Sequence, residues 1–274
     1  MEELKIKALI FDWAGTVIDY GSFSPVNVFL SIFSKKGVEI TVEEARKPMG
    51  MLKYDHIKEI LAFSRVRDKW KEVYGKEPEK SDIDELYKSF EPAVLEIIDK
   101  YSKPFGNNAE IIEKLKNKGY KIGSTTGYTK NMMDIVTRVA GENGYNPDFW
   151  ITPDLIGNYG RPYPYMIFQN LIKLEIMNVK EAVKIGDTIV DIEEGRNAGV
   201  WSVGVIEGSS LSGLSEEEYD SLSAEEKKAL RIKVKNEYFK AGAHYTIDNL
   251  SEIFNIIELI NIRLGKNTTD RTSE

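Results

Sequence analysis

The 274-residue chain has no cysteine and only two histidines, His56 and His244. Disulfide frameworks, thiolate nucleophiles, cysteine-held zinc or iron and multi-histidine metal centres are thereby excluded, so any metal must sit among oxygen ligands. An excess of positive charge is missing too: 37 Lys and Arg face 44 Asp and Glu, a formal charge of -7. That balance argues against a broad nucleic-acid surface, yet it tolerates a small positive pocket for an anion such as a phosphorylated metabolite. No apolar run approaches the length that spans a membrane. The start, MEELKIKALIFDW, puts acids ahead of a short strand-like stretch and shows no basic region, apolar run or cleavage site of a signal peptide. The expected location is cytoplasmic, with neither nucleic acid nor membrane as partner.

What is present is an alternation of short apolar runs and helical segments. Residues 5–11, KIKALIF, read as a buried strand that delivers Asp12 and the Gly15 turn to its carboxyl end. Residues 120–124, 182–186 and 200–205 read the same way, and amphipathic segments ending at Gly119 and Gly199 separate them. This order predicts an α/β fold, a doubly wound Rossmann-like parallel sheet whose ligands bind beyond the carboxyl ends of the strands. Residues 21–99 interrupt it with helical periodicity throughout, which predicts an inserted helical cap. The catalytic core is then residues 1–20 and 100–262, with hinges near 19–22 and 101–106 and a frayed tail at 263–274. The stretch 215–242 reads as one or two solvated helices.

Four elements at the predicted strand ends suit a phosphoryl group. Asp12 in DWAGT offers a carboxylate beside turn amides, and position 14 is alanine, so no second carboxylate follows two residues later. Thr126 and Gly127 in STTGYT offer a hydroxyl and close-approaching amides. Arg161 in GRPYP offers a planar donor fork, and GDTIVD carries Asp187 at a strand end with Asp191 in the next helical turn. Singly, each is also explained as a capped turn, a helix cap or a surface arginine. Jointly, at the edge of one parallel sheet, they suit magnesium among oxygens, with Asp12 and Asp187 offsetting its charge.

The ordered segments DWAGTVIDYG, EARKPMGMLKYDHI, IGSTTGYT, GRPYP, GDTIVDIEEGRNAG and WSVGVIEGSS resemble the haloacid dehalogenase superfamily of aspartate-nucleophile phosphotransferases. More closely they resemble its phosphonoacetaldehyde hydrolase (phosphonatase) family, over roughly residues 6–211 with AGAHYTI at 241–247 extending the match. The resemblance implies hydrolysis of phosphonoacetaldehyde to acetaldehyde and phosphate, with Mg2+ and a lysine imine. It implies that Asp12 attacks phosphorus, that Asp12, the carbonyl of Ala14 and Asp187 hold the metal, and that Thr188 and Asp191 orient that shell. Thr126, Gly127 and Arg161 would cradle the phosphoryl oxygens. Lys53 would condense with the aldehyde, so that the carbon–phosphorus electrons are accepted as an enamine; the absent acid at Ala14 suits a carbon rather than an alkoxide leaving group. His56, three residues after Lys53 on the same helical face, would share its proton-transfer network. Met49, Gly50 and Tyr128 match the closed site, and a homodimer is implied, with apolar helices such as PVNVFLSIF as candidates for its interface. Ser22 departs from the pattern, since relatives carry cysteine there, which puts a supporting or substrate-positioning role in question. Two alternatives remain open at this point: a magnesium phosphomonoesterase or phosphomutase that uses Asp12 without an imine, and a non-catalytic binder of a phosphorylated ligand.

Overall fold

The runs ALIF and AVKIG are apolar because both of their faces are covered: every residue of the two strands they form is buried. The computed structural model of the protein describes residues 4–270. Among them a six-stranded parallel sheet comprises β1 (Ala8–Phe11), β2 (Lys121–Thr125), β3 (Phe149–Ile151), β4 (Ala182–Gly186), β5 (Trp201–Val205) and β6 (Tyr245–Ile247), in the spatial order β3-β2-β1-β4-β5-β6. Alternate residues of β1 feed opposite faces: Leu9 and Phe11 join one apolar cluster, Ala8 and Ile10 the other. Strand order reverses between β1 and β4, and such a switch point leaves a crevice at the carboxyl ends.

Between β1 and β2 runs a cap-like helical insertion: α1 (Phe23–Ser34), α2 (Val42–Arg46), α3 (Lys53–Ala62), α4 (Ser64–Tyr74) and α5 (Lys80–Leu95). The remaining helices cover the sheet: α6 (Asn108–Asn117), α7 (Lys130–Glu142), α8 (Tyr165–Lys173), α9 (Ile189–Ala198), α10 (Glu216–Ser221), α11 (Ala224–Ala241) and α12 (Ile253–Asp270). In the insertion Phe29 stacks within 4.5 Å of Phe90 and 4.0 Å of His56, which ties α1, α3 and α5 together. Of the apolar residues of PVNVFLSIF, Pro25, Val26, Val28, Phe29, Ile32 and Phe33 are buried and Leu30 is partly buried against the same core. These side chains are satisfied within the chain's own core.

The two crossings between insertion and sheet lie side by side. Ile18 bridges to Pro104, and the Phe105 amide donates to the Val17 carbonyl at 3.1 Å. Asp19, Gly21 and Ser22 all have positive φ, and Asp19 caps α1 by accepting from the amides of Phe23 (2.9 Å) and Ser24 (3.0 Å). Expected and observed elements diverge at the edges. The three-residue strands β3 and β6 are too short to leave a periodic signal, and α12 continues to Asp270 where fraying was expected from 263. Burial of Ile253, Ile257, Ile260 and Leu264 along one stripe anchors this helix as far as Leu264. Residues 271–274 of the expected tail lie outside the described residues.

Candidate active site

Each sheet strand near the switch point ends on a polar residue that has nowhere to go but the crevice. Asp12 follows β1, Thr126 follows β2 and Asp187 follows β4. Asp187 and Asp191 bracket the start of α9, where Thr188 is the N-cap: its hydroxyl accepts from the Asp191 amide, and the Asp191 carboxylate accepts from Thr188. Gly186 is required by this turn, since a Cβ there would lie 2.3 Å from the Asp191 carboxyl carbon.

A cavity of about 20 Å³ lies between these loops and the insertion, lined by Asp12, Ala14, Ser22, Pro25, Met49, Gly50, Lys53, Thr126, Gly127, Tyr128, Arg161 and Thr188. The structure thus brings together every residue singled out in the sequence except three. Asp187 and Asp191 stand just behind the lining, and His56 lies within the insertion. The insertion reaches the sheet edge through glycines: a Cβ on Gly50 would lie 2.5 Å from the Thr188 hydroxyl, and one on Gly127 would lie 3.1 Å from the Met51 carbonyl. A larger cavity of about 370 Å³ adjoins on the other side of Lys53, Gly127 and Tyr128.

Lys53 opens α3 and is 5% exposed, and among the described residues no carboxylate lies within ion-pair distance of it. Burial pulls its pKa down to about 8; Arg161 pushes the same way, while Asp12, Asp19 and Asp187 oppose the shift. Its ammonium position is 5.4 Å from the Tyr128 ring centre. Burial, reinforced by Asp19 and Asp12, raises the Tyr128 hydroxyl well above the ordinary tyrosine range, so it stays a donor. His56 is fully buried with Nε2 2.8 Å from the Ala45 carbonyl, which can only accept, so Nε2 carries the proton and Nδ1 is a bare acceptor. Burial and then Lys53 lower the His56 pKa well below 6.5, and the ring is neutral.

Arg161 does not present a free fork to the cavity. One terminal nitrogen donates to Asp12 Oδ1 at 2.6 Å and lies 2.8 Å from the Thr125 carbonyl; the other meets Asp191 Oδ1 at 3.0 Å; Nε donates to Glu194 Oε2 at 3.1 Å. Thr126 accepts from the Tyr128 amide at 3.1 Å, which leaves its own hydroxyl proton to donate. Sequence reasoning missed Glu194, Lys184, Ser210 and Arg46. The Ser210 amide donates to Asp187 Oδ2 at 2.8 Å, and Arg46 of α2 reaches across to the carbonyls of Gly21 and Ser210 (3.4 Å to the latter). The available signal for the first two was a lysine inside the apolar run AVKIG and a glutamate three residues after Asp191.

Asp12, Asp187 and Asp191 place carboxylate oxygens within 4.8 Å of one another, all buried. Among the described residues Asp187 Oδ1 has no hydrogen-bond partner, and burial together with repulsion from Asp12 and Asp191 raises its pKa well above the ordinary carboxylate range. Four buried carboxylates, Glu194 included, face two paired cations, Arg161 and Lys184. A hard divalent ion fits that donor set and charge deficit. Asp191 has both oxygens already engaged, so Asp12 and Asp187 are the carboxylates with capacity to bind it.

Residues 6–199 match the haloacid dehalogenase-like hydrolase family. A phosphonoacetaldehyde hydrolase of Bacillus cereus (strain G9842) is 50% identical over 94% of this chain and 97% of that protein. The chain belongs to the haloacid dehalogenase-like hydrolases and is closely related to the phosphonoacetaldehyde hydrolases. This hydrolase also aligns, at 48% identity over 92% of its length, with 40% of a bifunctional phosphonoacetaldehyde hydrolase/aminoethylphosphonate transaminase of Clostridioides difficile (strain 630). The crystal structure of a phosphonoacetaldehyde hydrolase-like protein from Oleispira antarctica superposes on the hydrolase with a TM-score of 0.92 and 37% identity, covering 95% of this chain and 94% of the other. Among the described residues no helix is long and apolar enough to cross a membrane.

Proposed function

We propose that the protein hydrolyses phosphonoacetaldehyde to acetaldehyde and phosphate, using Lys53 as imine former and Asp12 as nucleophile, with residues 21–99 acting as the cap that closes the site. The observation that carries this reading is a buried lysine, without an ion-pair partner among the described residues, facing a carboxylate at a parallel-sheet switch point across a cavity of about 20 Å³. A phosphomonoesterase needs the carboxylate but has no use for such a lysine, and position 14 is alanine where an alkoxide leaving group would want an acid.

In this reading neutral Lys53 attacks the aldehyde carbon and water leaves, giving an iminium. An Asp12 oxygen attacks phosphorus; the carbon–phosphorus bond breaks and its electrons enter the iminium, forming an enamine and an aspartyl-phosphate. Protonation at carbon restores the iminium, and water releases acetaldehyde from Lys53. A second water hydrolyses the acyl phosphate and returns the Asp12 carboxylate. Tyr128 supplies a donor beside the imine, and neutral His56, whose Nδ1 is an open acceptor, takes a proton from the Lys53 network. Thr126 and the Gly127 amide bind phosphoryl oxygens, while Arg161 holds Asp12 through Oδ1. Met49 and Gly50 close the cavity over the substrate and exclude water, and Ser22 lines it where a thiol is not needed for either transfer. Magnesium held by Asp12, Asp187 and the Ala14 carbonyl would neutralise phosphoryl charge, with Thr188 and Asp191 supporting the carboxylates.

The test is incubation with phosphonoacetaldehyde, measuring acetaldehyde and phosphate, followed by borohydride reduction and mapping of the modified residue. Substrate-dependent reduction at Lys53 is expected; turnover without it overturns the imine. A homodimer belongs to the same proposal, and light scattering that gives only a monomer mass at working concentration overturns that part.

A further inference from the structure

Glu194 lies in α9 with no exposure to solvent and no assigned part in the chemistry. It stands three residues after Asp191, so both carboxylates project from one face of the helix, toward Arg161. Its Oε2 accepts from Arg161 Nε at 3.1 Å and from the Thr125 hydroxyl at 3.0 Å, and lies 3.6 Å from the Lys184 ammonium. Lys184 is itself held 2.7 Å from Asp191 Oδ1. The close approach depends on Gly195, where a Cβ would lie 2.3 Å from the Ser202 hydroxyl and 3.0 Å from Lys184 Cβ.

We infer that Glu194 is a positioning residue for phosphoryl transfer: by holding the Nε edge of Arg161 it fixes the plane of the guanidinium whose far corner holds Asp12 Oδ1. A guanidinium is rigid, so a donor at Nε and a donor at the terminal nitrogen cannot be aimed independently. Anchoring Nε to Glu194 sets where the terminal N–H meets Asp12, and a carboxylate held by one oxygen has the other in a defined direction. Thr125 and Lys184 stop Glu194 from turning, and neither touches the cavity. The effect is confined to the sheet side of the site, because among the described residues Glu194 makes no contact with Lys53, which belongs to the insertion.

This rests on the reading of Asp12 as nucleophile and Lys53 as imine former, and the experiment separates the two. Wild type, Glu194→Gln and Glu194→Met are compared for kcat, KM, melting temperature and the fraction of Lys53 reduced by borohydride during turnover. Gln keeps the shape and one acceptor oxygen, so a loss of about tenfold in kcat is expected; Met removes the acceptor, and misplacing a reacting group costs on the order of 10²-fold. KM should stay within about threefold, and the reducible fraction of Lys53 should hold or rise, because the imine forms normally and waits for a slowed attack at phosphorus. A residue that merely supported the fold would lose imine and turnover together. Should the Met variant fail to fold, the Gln variant decides alone: full kcat, or kcat and trapping falling in parallel, overturns the inference. Absence of trapping in the wild type would instead strike the underlying reading.

Discussion

Lys53 and Lys184 are both withdrawn from water, and the chain treats them in opposite ways. Lys184, in the middle of β4, has Asp191 at 2.7 Å and Glu194 at 3.6 Å. Lys53, at the first turn of α3, is also buried but has no carboxylate at ion-pair distance among the described residues, and burial lowers its pKa to about 8. A paired buried cation serves structure; an unpaired one is a cost that only chemistry explains. The difference also separates the two halves of the molecule, the sheet edge with its ion-paired network and the helical insertion with its desolvated amine.

The comparison breaks hardest at Lys53 itself. Lys53→Met should lower turnover of phosphonoacetaldehyde by at least about 10⁴-fold and abolish borohydride labelling, as expected for loss of a covalent catalyst. The same variant should be more stable than wild type in metal-free buffer at pH 7, by up to about 3 kcal/mol. The sign follows from linkage: an unfolded lysine near 10.5 binds a proton that the folded one releases at about 8, so the penalty is full below pH 8 and fades as pH rises toward 10.5. Denaturant titration of the two proteins at pH 7 and pH 10 checks it, and a destabilised Lys53→Met would contradict it. Lys184→Met should do the reverse, destabilising by about 3 kcal/mol because two buried carboxylates lose one of the two cations that they share. A Lys184 variant with unchanged melting temperature would erase the distinction.

A smaller effect sharpens it. If the neutral amine at Lys53 performs the attack, the rate of imine formation should rise by roughly tenfold per pH unit below 8 and level off above it. A flat profile between pH 6 and 8 would show the amine already neutral. Smallest is the latch between the halves: Arg46→Ala removes the donor that α2 extends to Gly21 and Ser210, and a charged hydrogen bond of about 1.5 kcal/mol corresponds to roughly a tenfold loss of kcat/KM. Steady-state kinetics of the purified variant, with Arg46→Lys as a partial rescue, would measure it.

Much of the site was legible because its residues follow strands. Asp12, Thr126 and Asp187 each come directly after an apolar run, and a parallel sheet must put those positions along one edge. Lys53 was reached by resemblance alone, since a lysine opening a helix looks like any solvated lysine. Glu194 and Lys184 were overlooked because a charge in a helix or strand is ordinarily assigned to solvent, and nothing local says that it is enclosed. Arg161 was read as a cradle for phosphate; its engagement with Asp12, Asp191 and Glu194 appears only when three segments more than twenty residues apart are brought together.

The sequence by itself determined the alternation of strands and helices, the insertion after the first strand and the oxygen-only character of any metal site, since these follow from periodicity and from missing cysteine. Tertiary structure alone decided which charges are paired. Desolvation and ion pairing depend on distances across the fold, so they assign Lys184 to an ion-paired network and leave Lys53 with a lowered pKa. They likewise turn the apolar helix PVNVFLSIF inward, because a hydrophobic stripe is satisfied by whichever neighbour the fold supplies.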